Sequence, residues 1–220
     1  MPPPARQRIL DAALRLIQQK GIGRATTREI AMAAGAAEGS LFKNFGDKMG
    51  LLTELLSYEL PENQAWRAVA TEAPPGHGDL AAGLVLFMER AIAYYAAALP
   101  LTAGSFADRE LLHRHQAINR ERGTGPQLAL QGAVDWLRGW QQAGHLDQQA
   151  DLYAMAVALC GGALICAYSE QLAGPGQIRG GRDGLIHSLI DTVAGPHMTK
   201  SADADPHLRT KAASDRRAQG

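Results

Sequence analysis

Cysteine is nearly missing from this chain: Cys160 and Cys166 are the only two in 220 residues, six apart within one apolar run. That spacing fits neither a disulfide framework nor a zinc ligand set, which leaves two small core residues or a redox sensor as readings. Net charge is missing too, with 22 Lys/Arg against 22 Asp/Glu, so any nucleic-acid binding must rest on a few placed cations rather than a high global pI. Their distribution is uneven. Residues 1–60 hold eight Lys/Arg against six Asp/Glu, and residues 61–196 hold nine against thirteen.

No cationic N-terminal segment leads into an apolar run, and no stretch of about twenty uninterrupted apolar residues occurs, so no export or membrane partner is expected and the chain reads as cytoplasmic. A nucleophile elbow, phosphate loop, carboxylate pair and metal motif are all lacking, so no enzyme, cofactor or metal site is expected. His113 and His115 stand two apart, on different faces of a helix, and read as solvated rather than as metal ligands.

What is present is a hydrophobic content of 46%, enough for a small domain and a mid-sized one in an all-α chain. The periodicity predicts an N-terminal helix-turn-helix domain over residues 1–52, a larger helical domain over 53–196 and a disordered tail over 197–220. Residues 6–20 carry Ile9, Ala13, Leu16 and Ile17 at helical spacing, and Gly21 is placed to end that helix. Thr26 and Glu29 have the spacing of a capping box, which predicts a second helix bearing Ile30, Ala31 and Ala34 and stopped by Gly35. Leu41, Phe42 and Phe45 predict the buried side of a third short helix over 38–45, leaving Glu38, Gly39, Ser40, Lys43 and Asn44 to face elsewhere. Asp47 then caps a helix with Leu51, Leu52, Leu55 and Leu56 on one face, and Lys48 at its start is placed to hold a phosphate.

Beyond the loop at 74–78, residues 79–99 predict a buried helix ended by Pro100, and 101–122 a partly exposed one. Residues 127–143 carry Trp136 and Trp140. Two strongly apolar helices follow, over 151–172 with the small centre Cys160-Gly161-Gly162-Ala163, and over 182–193. Their apolar surface exceeds what one subunit needs, so Leu159, Gly162, Ala163, Cys166, Leu185, Ile186, Leu189 and Ile190 are expected at a homodimer interface.

Residues 8–52 resemble the N-terminal domain of the TetR family of bacterial transcriptional regulators. The features that coincide are Gly21-Ile22, Thr26-Thr27, Ile30-Ala31, Ala34-Gly35, Gly39-Ser40-Leu41-Phe42, Phe45 and Lys48. The resemblance implies a ligand-responsive regulator, most simply a repressor that binds a palindromic double-stranded operator as a homodimer. It implies that Thr27 and Arg28, after the capping Thr26, touch backbone or base. Ser40 and Lys43, beside Gly39, then approach base edges, and positions 42, 44 and 48 hold phosphates. Ala37, Phe42 and Asn44 stand where the family usually has serine, tyrosine and histidine, so fewer backbone contacts are expected. Glu38 can only accept, which favours a cytosine amino group, or else it is a solvated charge at a helix start. The resemblance also implies a small-molecule effector in the second domain, with Phe87, Met88, Tyr94, Tyr95, Phe106, Trp136 and Trp140 as candidate lining. The other readings are a helical small-molecule-binding protein or an enzyme without DNA activity.

Overall fold

Five helix starts among the described residues are set by short oxygen-bearing side chains that satisfy backbone N–H groups with no intrahelical partner. Thr26, Asp47, Asp79, Asp108 and Asp151 each accept such a bond at the start of α2 (Thr27–Ala33), α4 (Lys48–Glu54), α7 (Leu80–Ala107), α8 (Arg109–Arg122) and α10 (Leu152–Ala173). The computed structural model describes residues 3–199 and is all-α, with no strand among them. The remaining helices are α1 (Ala5–Arg24), α3 (Glu38–Phe45), α5 (Pro61–Arg67), α6 (Val69–Glu72), α9 (Pro126–Gln142) and α11 (Gly181–Val193). A π-helical turn, Leu55–Glu59, continues α4 until Pro61 opens α5.

Two apolar clusters organise these elements. The first joins Ile9, Leu10, Ala13 and Ile17 of α1 to Ile30, Leu41, Phe45, Met49, Leu51 and Leu52, closing α1 to α4 into a unit. It also takes in Leu55 and Leu60, Ala98 and Leu101 of α7, and Ile118 of α8. The N-terminal core therefore extends past residue 52 and borrows side chains from the larger domain. The second cluster lies among α5, α7, α9, α10 and α11.

Pro100 does not end a helix: α7 runs through it to Ala107, and the expected helix over 101–122 is confined to α8. Proline lacks the N–H that would bond the carbonyl four residues back, and that carbonyl, Ala96 O, accepts from Gln171 Nε2 of α10 at 3.1 Å. The acceptor is satisfied from across the domain, so the helix continues. By length and composition α7 and α10 are each apolar enough to cross a membrane. Here they pack on each other at the centre of the second domain.

Residues 197–199, expected to begin a tail, are ordered instead. A 3-10 turn spans Gly195–His197, Met198 bridges to Leu146, and Thr199 N donates to His145 O at 3.1 Å. The rest of the expected tail, 200–220, lies outside the described residues.

Gly104 shows how closely the domains meet, since a Cβ there would sit 2.8 Å from Ile22 Cγ2 and 3.5 Å from Gly23 N. Ile22 is fully buried and its Cγ2 has little freedom to yield. Gly104→Val is expected to lower stability by about 1–3 kcal/mol through overpacking. Gly132→Ala, on an open face of α9 with no atom within 4 Å, is expected to raise it by about 0.5–1 kcal/mol. Thermal denaturation of the two variants checks both signs.

Candidate nucleic-acid interface

The turn between α2 and α3 is closed by backbone geometry that only glycine enters readily. Gly35 adopts φ 59°, Gly35 N donates to Met32 O and Ala36 N to Ala31 O, each at 3.0 Å. This is the paired bonding of a Schellman motif. Arg8 of α1 then reaches the turn, with Nε 2.9 Å from Ala34 O and an amino group 3.3 Å from Gly35 O. Helical spacing carries no signal for that arginine, because its partners are carbonyls 26 and 27 residues away.

The capping box at α2 is complete. Glu29 N donates to Thr26 Oγ1 at 3.2 Å and Thr26 N donates to Glu29 Oε2 at 3.0 Å. Lys20 Nζ lies 2.7 Å from the same carboxylate oxygen. The Lys20 contact, followed by the Thr26 bonds, holds the Glu29 carboxyl down at about 2. Thr26 is thus occupied in starting a helix, although it remains exposed.

Leu41 and Phe45 anchor α3, being 0% and 3% exposed, and turn its opposite face outward. Gly39, Phe42, Lys43 and Asn44 are exposed on it and Ser40 is half-buried. Phe42 is 48% exposed. No side chain caps α3 at Ala37. Asn44 Nδ2 donates to Ser40 O at 2.7 Å, so its amide lies along its own helix. Arg28 is exposed on α2. Thr27 and Glu38 meet each other, Thr27 Oγ1 donating to Glu38 Oε1 at 2.6 Å. That bond ties the start of α2 to the start of α3.

Lys48 is half-buried, and Nζ points back to Gly23 O at 3.4 Å. Burial pushes its ammonium below the ordinary lysine range, against the attraction of Asp108. Beside it, Asp47 accepts from Gly50 N at 2.7 Å with one oxygen and from Arg114 Nε of α8 at 2.6 Å with the other. A further ion-pair chain links Arg122 of α8 to Glu54 and Glu54 to Arg6, which also pairs with Glu59 at 3.1 Å. The charges that join the domains thus cluster around α4, on α1, α4 and α8.

In the second domain the aromatic candidates form a chain of ring contacts. Trp66 meets Phe87 at 5.6 Å, Tyr94 at 5.3 Å and Tyr95 at 5.6 Å. Phe87 stacks on Trp136 at 5.5 Å, and Trp136 meets Trp140 at 6.1 Å. Met88 is buried in the same core, and Trp66, which was not among the candidate lining residues, joins it. Phe106 stands apart: it is 71% exposed near the C-terminal end of α7. Trp136 Nε1 donates to Ala73 O at 3.0 Å, whereas the buried Trp140 Nε1 has no hydrogen-bond partner among the described residues.

The face expected to join two subunits is turned inward. Leu159, Ala163, Cys166, Ile186 and Ile190 are buried within the one chain, Leu185 and Leu189 pack against the same core, and a Cβ at Gly162 would lie 2.3 Å from Leu189 Cδ1. The small residue at 162 lets α11 of the same subunit approach α10. Burial raises both thiols, Cys160 to about 12, a setting in which thiolate chemistry is disfavoured. The outer face of α10 is the apolar one. Tyr153, Val157, Leu164, Ile165, Tyr168 and Leu172 lie along it, each 40–70% exposed, and Gly161 between them has no atom within 4 Å of a built Cβ. On α11 the exposed positions are polar, His187, Ser188 and Asp191 among them. Among the described residues no group of three or more His, Cys, Asp or Glu is placed to hold a metal.

Comparison with known proteins agrees with this geometry. Residues 9–55 match the family model described as bacterial regulatory proteins, tetR family. Over 54 residues the chain is 48% identical to the HTH-type transcriptional regulator YvkB of Bacillus subtilis, covering 24% of this chain and 29% of that protein. The matched part spans less than a third of the length of the curated relatives. Over most of its length the fold is similar to a TetR-family transcriptional regulator of Mesorhizobium loti, at 21% identity, with 86% of this chain and 96% of that one covered and a TM-score of 0.66. It is also similar to SmeT, the repressor of the Stenotrophomonas maltophilia multidrug efflux pump SmeDEF, at 20% identity, 89% and 91% coverage and a TM-score of 0.57. SmeT is likewise known in complex with triclosan. Residues 9–55 thus match the family's N-terminal model, and the chain as a whole shares the fold of these solved structures.

The Glu29 shift has a sign. A carboxyl lowered in the folded state contributes stability that is present above the unfolded value near 4.5 and is lost as pH falls through about 2. Lys20→Met removes the largest cause, so the titration of the Glu29 carboxyl carbon followed by NMR is expected to move upward toward 4.5.

Proposed function

We propose that this chain is a DNA-binding transcriptional regulator, a ligand-responsive repressor that acts in the bacterial cytoplasm by binding a palindromic operator as a homodimer. The observation that carries this reading is α3: a short helix fixed by Leu41 and Phe45, with Gly39, Ser40, Phe42, Lys43 and Asn44 outward. A helix of this size enters the B-DNA major groove and meets base edges there. Arg28 and Lys43 supply donors for base or phosphate. Lys48 supplies a third when its ammonium swings from Gly23 O toward the duplex.

One such head covers only a few base pairs, so specificity requires two at a fixed separation. The exposed stripe on α10 supports the second copy. It runs from Tyr153 to Leu172, about 28 Å at 1.5 Å per residue, and a contiguous apolar face of that length marks an association surface. Gly161 at its centre allows two such helices to come close.

The ring cluster from Trp66 to Trp140 supports the effector reading, as does the triclosan complex of SmeT. It is packed, so an effector has to displace side chains to enter. A small apolar molecule bearing one acceptor would satisfy Trp140 Nε1, whose lack of a partner carries a cost of about 1–3 kcal/mol. Such a molecule favours the state with the rings parted, and the two heads respond only to that difference in affinity.

Duplex bearing the inverted repeat beside the gene, titrated with purified protein, tests the whole reading. Lys48→Ala is expected to weaken binding on every sequence and to reduce the slope of log K against log salt by about one unit. Lys43→Ala is expected to change base preference. An unaltered salt slope in the first variant counts against Lys48 as a phosphate clamp. Leu164→Glu with Ile165→Glu is expected to give a folded monomer in sedimentation with operator binding lost. A variant that stays dimeric removes this face of α10 from the interface.

A further inference from the structure

A threonine hydroxyl at the start of a helix usually has its proton free for a phosphate. Thr27 does not, because Oγ1 donates to Glu38 Oε1 at 2.6 Å, and a hydroxyl has one proton to give. Both residues are half-buried at the edge of the outward face of α3. What they present to a duplex is the lone pairs of Thr27 Oγ1 and the second carboxylate oxygen of Glu38. These two side chains offer acceptors only.

A phosphate is acceptor-only as well, so neither side chain can bond one. The donors that the major groove offers are the exocyclic amines of cytosine N4 and adenine N6. Adenine N6 lies between two acceptors, its own N7 and the O4 of the paired thymine, and both oppose a carboxylate. Cytosine N4 has an acceptor on one side only, guanine O6. We propose that Glu38, oriented by Thr27, is a specificity-determining residue that selects one C·G pair in each half-site by accepting from cytosine N4, and that Thr27 is its positioning residue rather than a phosphate contact. This rests on the reading of α3 as the DNA-reading helix. The bond between the two side chains gives it a basis beyond the carboxylate alone: a preoriented oxygen loses less freedom on meeting a base.

The test is selection from randomised duplexes with the full chain, followed by titration on the selected site. The wild type is expected to prefer cytosine at one position of each half-site by roughly 5- to 100-fold. Glu38→Gln, whose amide both donates and accepts, is expected to move that position toward adenine and leave the others unchanged. Thr27→Val is expected to weaken the cytosine preference several-fold without altering the salt slope. Wild-type protein on a duplex with 2-pyrimidinone at that position, which lacks the N4 amine, is expected to lose the same factor, and this measurement needs no variant to fold. A Glu38→Gln protein that binds more tightly with its base preferences unmoved overturns the assignment, leaving Glu38 as a repelling charge only. So does a wild type indifferent to the loss of the amine. Selection of no sequence at all by the wild type removes α3 as a reader, a different failure.

Discussion

The N-terminal unit, α1 to α4, does not complete its core alone. Ala98 and Leu101 of α7 and Ile118 of α8 are buried in the same cluster as Ile9, Leu41 and Phe45, and Gly104 is small because Ile22 lies against it. Burial of such side chains is the dominant stabilising effect in a fold, about 25 cal/mol per Å², whereas the exposed or half-exposed ion pairs at the same junction contribute about 0–1 kcal/mol each. The apolar contact therefore holds the domains together. Arg114 on Asp47 and Arg122 on Glu54 span the same junction.

That division explains what the sequence could reveal. The head was legible because its determinants are local: Thr26 and Glu29 are three apart, Gly35 ends α2 where a positive φ is required, and Asp47 caps the next helix. Bonds across the fold were not legible. Arg8 on the α2–α3 turn, Thr27 on Glu38 and Arg114 on Asp47 join residues 11 to 67 apart, and no periodicity encodes them. The inner and outer faces of α10 were hidden for a different reason. Nearly every position from Leu152 to Ala167 is apolar or small, so a 3.6-residue period has no contrast to display. Only packing against α7, α9 and α11 separates Leu159, Ala163 and Cys166 inside from Val157, Leu164 and Ile165 outside.

Pro100 brings the local and the distant together. A proline in a helix leaves a carbonyl without its partner and commonly ends or kinks the helix, and from sequence the rule points to a stop. Here Gln171 supplies the missing donor to Ala96 O, and α7 goes on for seven more residues. Those residues include Leu101, which closes the head's core, and Gly104, which receives Ile22. Gln171 lies on α10 beside Leu172, at one end of the outward apolar stripe. Gln171 thus ties α10 to α7 at the point where α7 would otherwise break, and beyond that point α7 packs on α1. The weak point of the long helix is thereby held by a side chain of another helix. The passage of α7 into the N-terminal core thus depends on a hydrogen bond that neither α3 nor the aromatic cluster contains.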